Sequence, residues 1–502
     1  MTPTEVELKL LLPGADAATV EQRLRQIRVL ARLPGRTQWL WNRYFDTPDH
    51  ALQGQRCALR LRCVSDSAWP ETGTPTGHWI QTFKTAGISV GGLSQRGEWE
   101  TPVQHARLDP DALAQTPWGA MDPTQRLFRQ LIPVFDTRCR RTTWQVRQRD
   151  GSQLELALDV GEIVAGDQVL PLLEIELELQ QGAPASLFAF ARQIARVIAV
   201  LPSDASKAER GYALDQGHLH APRRALPVRL PASTTPRAAA QAAMAEMLEQ
   251  WTRNLAGLCH ADHPELVHQA RVAWRRWRSA SRLFAPWLHD APPRQDLRPL
   301  LDALGRLRDL DVVVNDTLPL WLSAYIGGDA ARGQQAAQAM QQLQQAAEEQ
   351  RIRVRQLLAR PATGRALLQL TEWLHGLQAS PVSGSAEAAS TAAVDWARRR
   401  MDKLHRRLER AVAASRAAAP SETELHQTRL LAKRSRYNVE TLLDLLPGKK
   451  SRRWLREASR IQSRIGADRD LARASELLQE LTLAPDLAEF LRGAATARKI
   501  QG

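Results

Sequence analysis

Hydrophobic and polar positions in the first 215 residues alternate with period two, in short runs. In EVELKL (5–10), Glu5, Glu7 and Lys9 share one face of a strand, and Val6, Leu8 and Leu10 the other. LEIELEL (173–179) repeats the pattern, with Glu174, Glu176 and Glu178 opposite Ile175, Leu177 and Leu179. LELALD (154–159) aligns Glu155 with Asp159, and ALRLRC (58–63) aligns Arg60 with Arg62. HWIQTFK ends on Lys84, Arg96 precedes Glu98 and Glu100, and Arg141 lies in RRTTW. Pro- and Gly-bearing stretches separate the runs, and DSAWPETGTPTG (66–77) reads as a loop between two strands.

The pattern changes after residue 216. Residues 217–237 are rich in proline and lack periodicity, which marks a linker. Beyond them the chain is rich in Ala, Leu, Arg and Gln and reads as helical. Asp262, three residues before Glu265, suggests a capping box with Pro264 in the first turn, and Ser421 with Glu424 suggests another. Residues 377–393 are small and polar, a flexible connection. A motif, His268-x2-Arg271-x3-Arg275-Arg276-x-Arg278, returns as His426-x2-Arg429-x3-Lys433-Arg434-x-Arg436. LGRLRDLD (304–311) likewise returns as IGADRDLA (465–472), in the same order and at nearly the same offset. The helical half is therefore a duplicated module.

Charge separates the two halves further. Residues 1–216 hold 24 Lys and Arg against 25 Asp and Glu, while the rest holds 44 against 29. A basic half suits a polyanionic partner: nucleic acid, an anionic surface or polyphosphate. At 502 residues the chain is long for one core. Cys57, Cys63, Cys139 and Cys259 show no CxxC spacing and read as reduced thiols. No apolar run reaches about 18 residues, and no basic segment leads into an apolar one near residue 1. The expectation is a cytoplasmic protein without a membrane partner.

A single charged strand face is ordinarily a solvated one. Taken together, acid-lined and base-lined strands backed by aliphatics fit a closed antiparallel barrel around a wet tunnel. Inside it, carboxylates can hold a hard divalent cation, and Arg and Lys can grip phosphate oxygens. Metal, cations and phosphate point to phosphoryl chemistry.

These residues resemble the CYTH domain, the triphosphate tunnel metalloenzymes, whose first strand carries ExExK, here Glu5-x-Glu7-x-Lys9. The resemblance runs through YFDTPD (44–49), ALRLR (58–62), TFK (82–84), RGEWE (96–100), LALDVG (156–161), EIELEL (174–179) and SKAERGY (206–212). It implies an eight-stranded antiparallel tunnel that hydrolyses or transfers a linear triphosphate with Mg²⁺ or Mn²⁺. It implies Glu5, Glu7 and Lys9 as the catalytic row and Glu5, Glu7, Asp159, Glu174 and Glu176 as metal ligands. The implied phosphate ligands are Lys9, Arg60, Arg62, Lys84, Arg96, Arg141 and Lys207, with a pairing of Arg96 to neighbouring Glu98 as the alternative.

His268, Arg271, Arg275, Arg278 and Arg282 are spaced to form one helical stripe, and His426, Arg429, Lys433 and Arg436 a second, ended by Glu440. A lone basic helix is usually a solvated face. Like charges at these spacings repel, and here the arrangement is built twice without interleaved acids. The stripes resemble the CHAD domain, a helical module of two similar halves, which implies binding of long-chain polyphosphate or its granules. Arg308 and Arg469 are expected either to share in that role or to pair with Asp309 and Asp470.

The expected protein is α+β: a CYTH tunnel domain (1–216), a linker (217–237), an all-α CHAD domain (238–490) and a tail (491–502). The function expected is metal-dependent hydrolysis of inorganic triphosphate, with polyphosphate as a second partner. Thiamine triphosphate and ATP cyclisation are alternatives on the same fold, and a non-catalytic polyphosphate scaffold is another. Against nucleic acid stands the lack of an aromatic base-stacking platform, although Trp274 and Trp277 interrupt the first stripe.

Overall fold

The structure is a computed structural model that describes residues 4–69, 75–377, 393–417 and 422–501. The chain divides into two compact units. One comprises Met1–Arg223, Thr252–Ala261 and Leu358–Trp373; the other comprises Arg224–Trp251, Asp262–Leu357 and Leu374–Gly502.

The first unit is built on antiparallel strands: β1 (Thr4–Leu11), β2 (Arg36–Asp46), β3 (Ala58–Ser65), β4 (His78–Lys84), β5 (Ile88–Val90), β6 (Leu93–Val103), β7 (Ile132–Arg147), β8 (Gln153–Ala165), β9 (Gln168–Gln181) and β10 (Leu201–Pro202). Eight of them close into a ring in the order β1-β9-β8-β7-β2-β3-β4-β6, with β6 returning to β1. The short strands β5 and β10 are appended to β6 and β1. The barrel is therefore closed and antiparallel, as the alternation leads one to expect, with the eight strands that the resemblance implies.

Its apolar faces point outward. Leu8, Leu10, Leu156, Leu158, Ile175 and Leu177 are buried against Val20 and Leu24 of the helix Ala17–Leu24 and Phe188, Ala191 and Ile194 of the helix Ala185–Val197. Leu368, in the helix Pro361–Gly376, completes that core. Burying these side chains between barrel and helices supplies the hydrophobic stabilisation, about 1.5–3 kcal/mol for each large residue, and leaves the inside of the ring to polar groups. Asp46 explains the YFDTPD motif. Its buried carboxylate accepts from the backbone N–H groups of Leu52 (2.8 Å) and Gln53 (2.9 Å), and from the Tyr212 hydroxyl (2.8 Å). Gly211 is required beside that tyrosine, because a Cβ there would meet the Phe135 ring at 2.1 Å.

The second unit is helical. Helix Pro264–Leu283 buries Leu266, Ala270, Ala273, Trp274, Trp277 and Ala280, so both tryptophans are core residues. Its N-cap is His263, whose Nδ1 accepts from the Glu265 N–H at 3.1 Å. The expected cap, Asp262, instead pairs with Arg355 at 2.7 Å. With Pro264 at the first helical position, the imidazole reaches the free N–H and the carboxylate one residue earlier is released. Ser421, the other expected cap, lies outside the described residues. Helix Glu422–Thr441 joins helix Pro264–Leu283 through Ser279 and Asn438, hydrogen-bonded at 2.7 Å. The repeated Arg276 is structural, buried and paired with Glu246 at 2.7 Å.

A charged tunnel as the candidate active site

The inward face of every strand follows from its register. In the β1–β6 ladder Glu5 lies opposite Arg96; in β1–β9, Lys9 lies opposite Glu176. Asp159 of β8 sits between Arg141 of β7 and Glu174 of β9. Lys84 of β4 faces Glu98 of β6. A cavity of about 420 Å³ is lined by Glu5, Glu7, Lys9, Arg60, Arg62, Lys84, Arg96, Arg141, Glu176 and Lys207. Period-two polarity thus produces an ion-lined interior.

Two clusters are distinct within it. In the first, Arg96 pairs with Glu5 (3.0 Å) and Glu7 (2.8 Å), and Lys9 with Glu7 (2.5 Å). Lys84 bridges Glu5 (3.1 Å) and Glu98 (2.8 Å), and Arg60 reaches Glu98 at 3.2 Å. The alternative pairing of Arg96 with Glu98 is not made: across the ladders Arg96 lies opposite Glu5 and Glu98 opposite Lys84, and each pairs there. In the second cluster, Arg141 holds Asp159 through two bonds of 2.7 Å and reaches Glu176 at 2.6 Å. Lys207, from the helix Lys207–Asp215, touches Asp159 (2.7 Å), Glu176 (2.8 Å) and Glu174. Carboxylate oxygens of Asp159, Glu174 and Glu176 come within 4.8 Å of one another, an all-oxygen set suited to a hard divalent cation.

The electrostatics follow from burial and partners. Burial opposes ionisation of Glu7, but Lys9 and Arg96 outweigh it and hold the carboxyl below its usual pKa. Burial likewise opposes Glu98, yet Lys84 and Arg60 bring it down to about 2. Glu176 is held well below the usual value by Lys207 and Arg141 against the cost of burial. Arg60, Arg96, Arg141 and Lys207 are buried too, and neighbouring anionic oxygens raise each above its ordinary value. Two groups are shifted the other way: burial and Arg60 lower Arg62 despite Glu100 at 3.7 Å, while burial and Glu5 push Glu178 up to about 7.

The residues expected in the tunnel line this cavity except Asp159 and Glu174, which are joined to it through their ion pairs with Arg141 and Lys207. Several more join them that the motifs did not single out as site residues: Glu98, Glu100, Glu155 and Glu178, Tyr44, and Arg210. Arg210 pairs with Glu174 and lies one helical turn after Lys207, a spacing that was readable in SKAERGY.

In the second unit the two basic stripes do not stay separate. Arg275 lies within electrostatic reach of Arg429 and Lys433, and Arg469 acts on the same two groups. Arg271 lies across helix Arg298–Val312, where a Cβ on Gly305 would stand 2.8 Å from its guanidinium. Further along, Arg278 and Arg282 crowd Arg294, and Arg282 also crowds Arg434. Arg436 instead has an acid of its own, Glu440 at 3.6 Å. Burial and Arg308 lower His268, whereas the side chain of His426 lies outside the described residues. Arg308 pairs with Asp316 (3.5 Å) and Asp309 with Arg473 (3.1 Å), so the expected pair of sequence neighbours 308 and 309 is not made.

Comparison with known proteins divides the chain along its length. Residues 3–212 match the CYTH domain and residues 242–479 the CHAD domain. An inorganic triphosphatase of Haemophilus influenzae is 32% identical over 211 residues, which are 42% of this chain and 54% of that protein. The chain thus spans about half the length of that relative. The CHAD domain of Ricinus communis is similar at 29% identity, covering 56% of this chain and 92% of that one, with a TM-score of 0.48. A Hippeastrum protein described as a candidate adenylyl cyclase with a dominant triphosphatase activity is 21% identical, covering 43% of this chain and 96% of that one, with a TM-score of 0.28. Among the described residues, no helix is long and apolar enough to cross a membrane.

Proposed function

Since this chain is a CYTH domain (residues 3–212) followed by a CHAD domain (242–479), we propose that it hydrolyses inorganic triphosphate to pyrophosphate and phosphate with Mg²⁺ or Mn²⁺, and binds polyphosphate through its helical unit. The observation that carries the first part is a triad of convergent carboxylates, Asp159, Glu174 and Glu176, among buried bases. A divalent cation held by that triad would supply charge neutralisation and Lewis acidity; Glu5 and Glu7, in the other cluster, are the further carboxylates proposed as metal ligands.

The chain's own residues do the rest. Arg60, Arg62, Lys84, Arg96, Arg141 and Lys207 bind phosphate oxygens, the arginines through paired N–H groups. Lys9, beside Glu7, completes the catalytic row. Attack of water on the terminal phosphorus breaks its bond to the bridging oxygen, and the charge leaves on pyrophosphate. Cations already fixed in place meet that charge without reorganising, which is where the barrier falls. To bind, the substrate exchanges its oxygens for the carboxylates that now hold these bases.

In the helical unit, the residues proposed for polyphosphate are His268, Arg271, Arg275, Arg278, Arg282, His426, Arg429, Lys433 and Arg436. A cytoplasmic chain docked on polyphosphate granules fits this reading.

The test is a substrate panel on the full chain: tripolyphosphate, longer polyphosphate, ATP and thiamine triphosphate, each with Mg²⁺ or Mn²⁺. Tripolyphosphate is expected to turn over fastest, yielding equal pyrophosphate and phosphate. Faster turnover of ATP or thiamine triphosphate would overturn the assignment.

A further inference from the structure

The tunnel depends on a carboxylate outside it. Asp204 is buried in the loop between β10 and the helix Lys207–Asp215. Its Oδ1 accepts from the Gly92 N–H (2.9 Å) and the Ser89 hydroxyl (3.0 Å). Its Oδ2 accepts from the Thr252 hydroxyl at 2.7 Å. The Gly92 carbonyl in turn accepts the Lys9 N–H at 2.9 Å, and the Ser203 N–H donates to the Lys9 carbonyl at 3.0 Å. Both backbone groups of Lys9 are therefore fixed by residues on either side of the Asp204 cage. Gly92 makes that approach possible: its φ is +86°, and a Cβ would stand 2.8 Å from the Lys9 carbonyl oxygen.

Arg253 acts on the other side of the loop. It donates to the Asp204 carbonyl (3.3 Å) and to Glu209 Oε1 (2.9 Å). Glu209 Oε2 accepts the Ser206 N–H at 2.8 Å, and Ser206 Oγ accepts the Glu209 N–H at 3.1 Å, a closed capping box. Lys207 is the next residue, and from there it enters the acid cluster. Thr252 and Arg253 lie in the segment that matches the CHAD domain, beyond the end of the CYTH match at residue 212, yet belong to the first compact unit.

We propose that Thr252 and Arg253 are positioning residues of the tunnel, setting Lys9 and Lys207 through Asp204 and Glu209. The proposal rests on the reading of the tunnel as a triphosphate site. A reacting geometry displaced by about 1 Å can cost a hundredfold in rate, and freeing one end of the loop allows a part of that displacement.

The experiment compares Thr252→Val, Thr252→Ser, Arg253→Gln and Arg253→Lys in the full chain, reading kcat and KM for tripolyphosphate, its affinity by calorimetry, and Tm. Thr252→Val and Arg253→Gln are expected to lose roughly tenfold in kcat and to weaken tripolyphosphate binding. Thr252→Ser and Arg253→Lys, which keep the donors, are expected to stay within about twofold. A purely structural role would lower Tm and leave kcat, KM and affinity of the folded fraction unchanged. That result, or Thr252→Ser as impaired as Thr252→Val, would overturn the inference. Wild-type protein that binds tripolyphosphate without hydrolysing it would overturn the catalytic reading; the affinities of the variants would still decide the positioning.

Discussion

The barrel interior and the helical surface are both rich in arginine and lysine, yet their charges are pushed in opposite directions. Inside the tunnel Arg60, Arg96, Arg141 and Lys207 are raised above their ordinary values, because anionic oxygens stand opposite each one. On the helices, burial and neighbouring cations lower Arg271, Arg429 and Lys433, the last to about 7. The first arrangement carries its own countercharge, which on the proposed function it would exchange for metal and phosphate. The second has only the partial countercharge of Asp309 and Asp470, which burial and neighbouring cations outweigh, and on the proposed function a polyanion would supply the rest. Arg62 is the exception in the tunnel: lowered by burial and Arg60, it has the character of the helical group.

The sharpest way to break this comparison is to remove one tunnel acid. Glu176→Gln takes a carboxylate from the triad and from both Arg141 and Lys207. Phosphate release from tripolyphosphate is expected to fall by about a hundredfold or more, and excess EDTA is expected to do the same to the wild type. Activity retained after either treatment would make the tunnel pairs merely structural.

Next in size is the convergence of the two helical stripes. Arg271→Ala with Arg275→Ala, and Arg429→Ala with Lys433→Ala, are each expected to weaken long-chain polyphosphate by roughly ten- to a hundredfold, because each removes two cations from one patch. Combining the four should give less than the product, since Arg275 acts on both partners. The dependence of affinity on salt should become shallower by about one logarithmic unit per lost phosphate contact. Two independent, additive stripes would contradict the geometry.

A smaller effect separates Lys433 from the arginines around it. Its folded pKa lies below that of the unfolded chain, so the free protein leaves it largely neutral above about 7. A bound polyanion favours the charged form. Affinity should therefore rise as pH falls towards about 7 and level off below it, by at most about tenfold per pH unit, with proton uptake above that pH visible by calorimetry in buffers of different ionisation heat. Without ligand, stability should rise as pH climbs from about 7 towards 10.5, where the unfolded lysine alone carries the proton. Lys433→Arg should abolish both trends. The smallest loss is expected from Arg436→Ala, whose charge is shared with Glu440: polyphosphate affinity should fall by only about two- to threefold.

Much of this was legible in the chain. Period-two runs located β1, β3, β4, β8 and β9 and the acid and base rows they carry, because a strand's side-chain direction is fixed by its sequence position. The long strands β2 and β7 were less visible, since polar and apolar residues mix on both faces of RTQWLWNRYFD and DTRCRR. Partners were the harder part. Arg96 and Arg308 invite pairing with the acids next to them in sequence, whereas sheet register and helix packing supply nearer ones. The meeting of Arg275 with Lys433 depends on how two helices pack, which periodicity within either helix does not encode. Asp204 gave no signal at all, being a single acid in a loop whose donors lie more than a hundred residues before it and about fifty after.

Closure of the ring bears on the timing of folding. β1 pairs with β6 through residues 4–8 and with β9 through residues 7–11, so the strand carrying Glu5, Glu7 and Lys9 joins both sides of the barrel's seam. During synthesis β1 emerges long before β9, and such distant pairings are slow to form. The residues proposed as metal and phosphate ligands are therefore expected to come together late, when this seam closes. Until then β1 presents an unpaired, half-apolar edge. Its row of charges is then what discourages pairing with another nascent chain.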